Sequence, residues 1–211
     1  MDRSTQIDTL SSITQVSRET IASLNKYEKI LIEANKTLNL IGKSTINKIW
    51  IRHFLDSLQV IDFIDKNDGS IVDLGSGAGF PGLILAIGAK DKKLSFKIKL
   101  IEKSPKKAKF LREIIQQLNL DAQIINQNVF QMRNKFYDDV FVARAFKPLN
   151  KILELIHSNA KNWKKILVFL GKTGKSELIE ASKIWDIEYK QKKSVTNDDS
   201  LIIMLTKINK K

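Results

Sequence analysis

The stretch Ile71-Val72-Asp73-Leu74-Gly75-Ser76-Gly77-Ala78-Gly79-Phe80-Pro81-Gly82 limits what this chain can fold into more than any other. A short apolar run ends in an acid, passes through three alternating glycines and enters a new apolar segment. A buried strand, a tight turn and a helix N-terminus satisfy that order, and together they let backbone N–H groups meet a nucleotide-like ligand. The second half, Gly77-x-Gly79-x-x-Gly82, also fits the dinucleotide fingerprint, so the loop alone leaves the ligand open. Asp73 begins to separate the choices, because an acid there repels a pyrophosphate and suits a ligand with a cationic portion.

The surrounding pattern points to an α/β fold. Strand-like runs occupy 70–74, 97–102, 122–126, 139–143 and 165–170, and helical patterns occupy 81–89, 105–118, 148–160 and 175–185. Such alternation predicts a parallel, doubly wound sheet. Ser104-Pro105 is a helix start, with a capping hydroxyl followed by proline at the first helical position. Two further strand-like runs, 187–195 and 201–208, are joined by Thr196-Asn197-Asp198-Asp199-Ser200, too short for a crossover helix, so the sheet should close in an antiparallel hairpin. Upstream, 17–38 shows helical spacing behind Ser17 as N-cap, and 44–64 reads as a second helix. A helical extension over 1–66 packed on a Rossmann-like core over 67–211 is therefore expected. An ordinary dinucleotide-binding domain does not need the closing hairpin, whereas the class I S-adenosylmethionine-dependent methyltransferase sheet has it.

Composition removes several alternatives. The chain has no cysteine, which excludes disulfides, thiolate metal sites and a cysteine nucleophile. Its histidines are His53 and His157, too few for a histidine-based zinc site, and no metal is expected. No apolar run approaches the roughly 20 residues of a membrane span, and the polar start Met1-Asp2-Arg3-Ser4-Thr5-Gln6 carries no signal-peptide core. A cytoplasmic, monomeric protein with no membrane partner is the expectation. The formal charge of +13 favours a polyanionic partner, although a Lys-, Ile- and Asn-rich composition accounts for part of the lysine excess. The arginines Arg3, Arg18, Arg52, Arg112, Arg133 and Arg144 stand out against this lysine background, since lysine cannot replace a bidentate guanidinium.

Glu102 ends the second strand, at about the distance beyond the loop where an acid accepts from both hydroxyls of a ribose. With Asp73 and the hairpin it favours S-adenosyl-L-methionine as cofactor. Gly171-Lys172-Thr173-Gly174-Lys175-Ser176 imitates a P-loop, but the position five before Gly174 is Phe169 instead of glycine. Lys172 and Lys175 are better read as phosphate contacts to a polyanionic partner, which the resemblance described below makes RNA. Arg52 and Asp56 are spaced i,i+4, which by itself predicts a surface ion pair worth a few tenths of a kcal/mol. His53 reads as structural, and Lys103, Lys106, Lys107 and Lys109 as a mainly solvated helix face.

Asp73 through Gly82, preceded by Arg52-His53-Phe54-Leu55-Asp56-Ser57 and followed by Ala143-Arg144-Ala145-Phe146, resembles the bacterial RsmG (GidB) proteins, small-subunit ribosomal RNA guanine-N7 methyltransferases. Asn39-Leu40-Ile41 is similar to that family's Asn-Leu-Thr segment, and the resemblance runs from about residue 20 to near the C-terminus. It implies methyl transfer from S-adenosylmethionine to the seven-nitrogen of a guanine in 16S rRNA, on naked RNA or a small-subunit particle. It implies that Asp73, Gly75, Gly77, Gly79, Phe80 and Glu102 form the cofactor site, with Val129 and Phe130 flanking the adenine and Arg144 beside the donor. Arg52 would face the cofactor or RNA entrance. The chain departs from the family at Asn128-Val129-Phe130-Gln131, where an arginine and acidic pairs are usual. No catalytic acid or base is indicated. An NAD-dependent oxidoreductase would share the glycine loop and Glu102, and a non-catalytic RNA-binding protein would share the charge.

Overall fold

The computed structural model describes residues 1–132 and 135–211, and Arg133 lies outside the described residues. Five strands run parallel: β1 (Ser70–Leu74), β2 (Lys97–Ile101), β3 (Ala122–Ile125), β4 (Val140–Arg144) and β5 (Lys165–Leu170). The hairpin of β6 (Trp185–Lys193) and β7 (Leu201–Lys210) adds to β5 in antiparallel sense. The order is β3-β2-β1-β4-β5-β7-β6, so the winding direction reverses between β1 and β4. A ligand crevice is expected outside the carboxyl ends of the strands at such a reversal.

Helices cover both faces. On one side α1 (Arg3–Thr14), α2 (Arg18–Leu38), α3 (Asp56–Leu58), α4 (Gly82–Gly88) and α5 (Pro105–Leu118) share a single apolar cluster with the sheet, which includes Tyr27, Trp50, Phe54, Leu83 and Leu111. On the other, α6 (Leu149–Asn159) and α7 (Gly174–Ile184) pack on Val72, Phe141 and Ile203. Ile71 belongs to the first cluster and Val72 to the second, which is why β1 is apolar at consecutive positions. The helix starts follow their caps: Ser17 accepts from the Thr20 N–H at 3.2 Å, and Ser104 from the Lys107 N–H at 3.5 Å with Pro105 in the first turn.

The structure adds one helix to the expected extension and departs from expectation at two places. The chain begins with a helix, α1, that hydrophobic spacing does not announce, because Leu10 is its one buried apolar residue; Asp2 caps it through the Thr5 N–H at 3.0 Å. The helix expected over 44–64 is broken into a 3₁₀ turn (Lys43–Lys48), a π turn (Trp50–Leu55), α3 and a second 3₁₀ turn (Ile61–Phe63). Trp50, Phe54, Leu55, Leu58 and Val60 are all buried, and seating this many large side chains prevails over regular pitch. The last helix ends one residue early and its strand begins two residues early, since the Trp185 N–H closes α7 on Ala181 O while its ring is buried beside His157.

At the amino ends of the strands, Lys165 is buried and bonds Asp68 Oδ2 at 2.9 Å, the Phe63 carbonyl at 3.0 Å and the Asp65 carboxylate. Asp68 is only 2% exposed, and its other neighbour, Lys164, stands 3.8 Å away. Removing one member of a buried pair strands the other charge, at a cost of about 3–5 kcal/mol. Lys165→Ala should therefore lower the unfolding free energy by roughly 3 kcal/mol, towards the low end because Lys164 remains. Urea denaturation followed by tryptophan fluorescence measures this, and a loss within 0.5 kcal/mol (about the scatter of an ordinary surface substitution) would contradict it.

Candidate functional site

A cleft of about 510 Å³ opens at the carboxyl ends of β1, β2 and β4, within the usual range for a small-molecule site. The glycine loop forms its floor, Glu102, Val129 and Phe130 one wall, and His53, Arg144 and Phe146 the other.

The loop is held against the sheet by its backbone. Ser76 donates its N–H to Ile101 O at 3.0 Å, and Gly77 donates to Glu102 Oε2 at 3.0 Å. Gly75 (φ +72°) and Gly79 (φ +93°) adopt left-handed backbone that side chains resist. Space excludes side chains there as well: a Cβ on Gly75 would lie 2.2 Å from the Phe146 ring, and one on Gly79 would lie 2.6 Å from the Tyr27 hydroxyl. From beneath, Tyr27 of α2 donates its hydroxyl proton to the Ala78 carbonyl, and Asp73 Oδ2 accepts the Gly82 N–H at 3.0 Å.

Asp73 is fully buried, and its Oδ1 has no hydrogen-bond partner among the described residues. Burial pushes its carboxyl up to about 7, against the lowering influence of the Gly82 N–H and Arg144, while Glu102 adds to the rise. Asp73 and Gly79 therefore sit under the loop and not on the cleft wall, whereas Gly75, Gly77 and Phe80 line the cleft.

Glu102 receives the Gly77 N–H on one oxygen and the Ser104 N–H on the other, at 2.7 Å. Each carboxylate oxygen keeps a further lone pair, so a pair of ligand hydroxyls can still be accepted. On the same wall, Val129 is buried and Phe130 is 45% exposed, its ring stacked on Phe146 at 5.8 Å and 11°. Asn128, the first departure from the resembled family, caps this turn by accepting the Phe130 N–H at 3.2 Å.

Arg144 ends β4 in a dense set of partners. Its Nε forms an ion pair with Asp56 Oδ2 at 2.8 Å, Nη2 donates to the Arg52 carbonyl at 2.6 Å, and Nη1 and Nη2 face His53 Nδ1 at 3.4 and 3.3 Å. The guanidinium also lies 5.8 Å from the centre of the Phe80 ring, on which His53 stacks at 4.9 Å. Burial, then the charges of Arg144 and Arg52, lower His53 to about 3. The imidazole is thus neutral; with Nδ1 accepting from Arg144, Nε2 carries the hydrogen and donates to Thr45 Oγ1 at 2.9 Å. The ion pair expected between Arg52 and Asp56 does not form. Within the π turn the Asp56 N–H reaches back to Ile51 O, which shifts i,i+4 neighbours out of α register, and Asp56 turns inward to Arg144. Arg52 instead reaches the Thr196 carbonyl at 3.3 Å and does not line the cleft.

Lys172 and Lys175 are exposed beyond β5, at the same end of the sheet but outside the cleft. A shallower recess of about 290 Å³, between Phe146 and Gly171, lies on that side. The P-loop-like segment folds on itself, with the Gly174 N–H bonded to Gly171 O at 2.8 Å. Tyr27, Phe146, Ser194 and Thr196 were given no role by the sequence reading. Their partners lie 51 or more residues away for Tyr27, Ser194 and Thr196, and local spacing carries no signal for such contacts. Among the described residues, no cluster of three or more His, Asp or Glu side chains is placed to hold a metal, and no helix is long and apolar enough to cross a membrane.

Comparison with known proteins gives a consistent result. The profile of the family described as GidB, rRNA small subunit methyltransferase G, matches residues 20–201. The ribosomal RNA small subunit methyltransferase G of Pelagibacter ubique is 39% identical over 198 residues, covering 93% of this chain and 92% of that protein. Its namesake in Rickettsia felis is 35% identical over 196 residues, covering 93% and 98%. Among solved structures, an S-adenosylmethionine-dependent methyltransferase from Aquifex aeolicus superimposes with a TM-score of 0.58 at 13% identity, covering 83% of this chain and 97% of that one. M. jannaschii TYW2 in complex with AdoMet gives 0.53 at 18% identity, covering 72% and 74%. The sheet with its closing hairpin is the fold of these methyltransferases.

The raised carboxyl of Asp73 has a consequence for stability. Between pH 3.8 and about 7 the unfolded chain has lost this proton and the folded chain keeps it, so this group's contribution to stability falls as pH rises. Asp73→Asn removes that dependence. The stability of the variant relative to the parent should improve with pH across this window, by up to about 1.4 kcal/mol per pH unit. Urea midpoints measured from pH 4.5 to 7 check it; a constant difference would show that Asp73 is ionised throughout.

Proposed function

The chain belongs to the rRNA small subunit methyltransferase G family, and from that premise we propose that it methylates the seven-nitrogen of a guanine in 16S rRNA, using S-adenosyl-L-methionine. The observation that carries the reading is the coupling of Gly77 and Glu102 through one hydrogen bond between the ends of β1 and β2, beside the reversal, which joins a backbone cradle to an acid able to accept a diol.

The residues fit this cofactor. A Cβ built on Gly77 meets only Gly75 O, at 3.8 Å, so the loop is open to close approach there. Beneath it lies Asp73, which fixes the loop through the Gly82 N–H and whose Oδ1 has no partner among the described residues. Glu102 would accept from the ribose hydroxyls, Val129 and Phe130 would flank the adenine, and Gly75, Gly77 and Phe80 would line the path between. Asp73 and Gly79 would act from below by fixing the loop. When bound, the cofactor supplies a methyl group on a sulfonium, open to direct in-line displacement.

A guanine seven-nitrogen has its own lone pair, so the reaction needs no general base. His53 agrees with this: its one free lone pair already accepts from Arg144, and its low pKa keeps it neutral. The product base is cationic, and a bare guanidinium nearby would oppose it. Here Asp56 offsets the charge of Arg144, leaving a neutral pair that positions without repelling. Alignment is the main contribution open to such a site.

The RNA would approach over Lys103, Lys107 and Lys147 at the cleft, with Lys172 and Lys175 beyond β5 and Arg52 behind the wall. Their contribution is salt-sensitive. The target guanine must be unpaired or splayed, because its major-groove edge is closed in an A-form helix. Action as a monomer in the cytoplasm belongs to the same proposal. Family membership favours methyl transfer over nicotinamide redox chemistry and over RNA binding without catalysis.

Incubation with labelled S-adenosylmethionine and small-subunit RNA or particles, followed by mapping of the modified base, tests the whole reading. Label on a guanine seven-nitrogen is expected; folded protein that binds cofactor yet labels neither substrate would refute it. Arg144→Lys keeps the charge but loses the fork that meets Asp56, Arg52 O and His53 together. A fall in kcat/KM of about a hundredfold is expected, and undiminished methylation would exclude a positioning role for Arg144.

A further inference from the structure

We propose that the turn between β6 and β7 positions Arg144 from the far side of Asp56, with Thr196 and Ser194 acting as positioning residues for the methyl-transfer site. This inference rests on the methyltransferase reading for its catalytic test, but its geometry stands independently.

Asp56 and Arg144 form a mostly buried ion pair, with side chains 13% and 15% exposed. A pair so removed from water is favourable only when the remaining lone pairs of the carboxylate are satisfied. Asp56 Oδ2 is used by Arg144. Its Oδ1 accepts from the Thr196 hydroxyl at 2.6 Å, from Gln59 Nε2 at 2.8 Å and from the Ser194 hydroxyl at 3.1 Å. Gln59 is itself committed to the turn, accepting the Val195 N–H at 2.9 Å and donating to Ser194 at 3.1 Å. Arg52 ties the same turn from outside through the Thr196 carbonyl. The acceptors that fix Arg144, namely Asp56, His53 Nδ1 and Arg52 O, thus come from one helical segment that the hairpin turn clamps.

The arrangement leaves Arg144 little freedom. Of its five N–H groups, Nε–H lies against Asp56 Oδ2, one on Nη2 bonds the Arg52 carbonyl, and two more share His53 Nδ1. One N–H on Nη1 has no acceptor among the described residues, in a side chain that lines the cleft. If the Thr196 and Ser194 hydroxyls are lost, Asp56 Oδ1 loses two of its three donors in a poorly solvated place. The carboxylate then rotates towards better solvation and Arg144 loses its anchor. The strongest donor is the Thr196 hydroxyl, so its removal should matter most.

Methyl transfer is measured for Thr196→Val, Thr196→Ser, Arg144→Lys and the double variant Thr196→Val/Arg144→Lys, with thermal midpoints recorded for each. Thr196→Val should lower kcat about tenfold, below the roughly hundredfold that a 1 Å misplacement costs, and Thr196→Ser should restore it. In the Arg144→Lys background, Thr196→Val should cost nothing further, because the residue it acts through is gone. Equal costs in the two backgrounds, or no rescue by serine, would overturn the proposal and leave the hydroxyls with a merely structural part. If Thr196→Val does not fold, Ser194→Ala goes through the same cycle under the same criteria. A second readout is independent of catalysis: the Arg144 Nε–H resonance, assigned by its loss in Arg144→Lys, should be protected from exchange in the parent and in Thr196→Ser and exposed in Thr196→Val. An unprotected Nε–H in the parent defeats the positioning proposal, whereas a parent that transfers no methyl defeats the methyltransferase reading alone.

Discussion

The turn between β1 and α4 has no spare room beneath it, and most of the site follows from that. Asp73 holds the Gly82 N–H, Tyr27 holds the Ala78 carbonyl, and the Tyr27 hydroxyl fills the space a side chain on Gly79 would need. A backbone pinned from below presents its upper surface to the cleft without help from a ligand. The cost is a carboxyl buried with one oxygen unpaired, which holds its proton up to about neutral pH. Strain of this kind is ordinarily retained where a ligand draws on it.

The N-terminal helices are tied to the site by more than apolar packing. Tyr27 comes from α2, His53 from the π turn and Asp56 from α3, and each touches the glycine loop or Arg144. The hairpin reaches the same place from the C-terminal end of the chain through Asp56. The parallel sheet supplies the crevice, and the two ends of the chain supply the side chains that fix its far wall.

Much of this was legible in the sequence where interactions are local. The run Ser70–Leu74, the Ser104-Pro105 cap and the short connection before Leu201 all specify their structure through neighbours in the chain. Glu102 was also legible, because strand ends and glycine loops have a fixed spacing. The Arg52–Asp56 pair was read from the same kind of spacing and failed, since it assumed α pitch where a π turn occurs and took no account of Arg144, 88 positions beyond Asp56. Helix α1 was missed for the opposite reason: its polar sequence carries little periodicity, and tertiary contacts such as the Gln6 bond to Asn47 O at 2.8 Å hold it. Asp73 was recognised as significant, but its depth beneath the loop depends on Tyr27 and Gly82 together.

The π turn makes the number of residues between Trp50 and Leu55 as important as their identity. It accommodates one residue more than α pitch allows, and in doing so sets the rotation of everything that follows. Wound at regular α pitch, the same residues would carry Asp56 about 100° further around the axis. The hydrophobic residues could settle into new holes, but Arg144 would lose the carboxylate it now pairs with. Within this segment the pitch of the backbone, more than the spacing of the residues, decides which side chain meets Arg144.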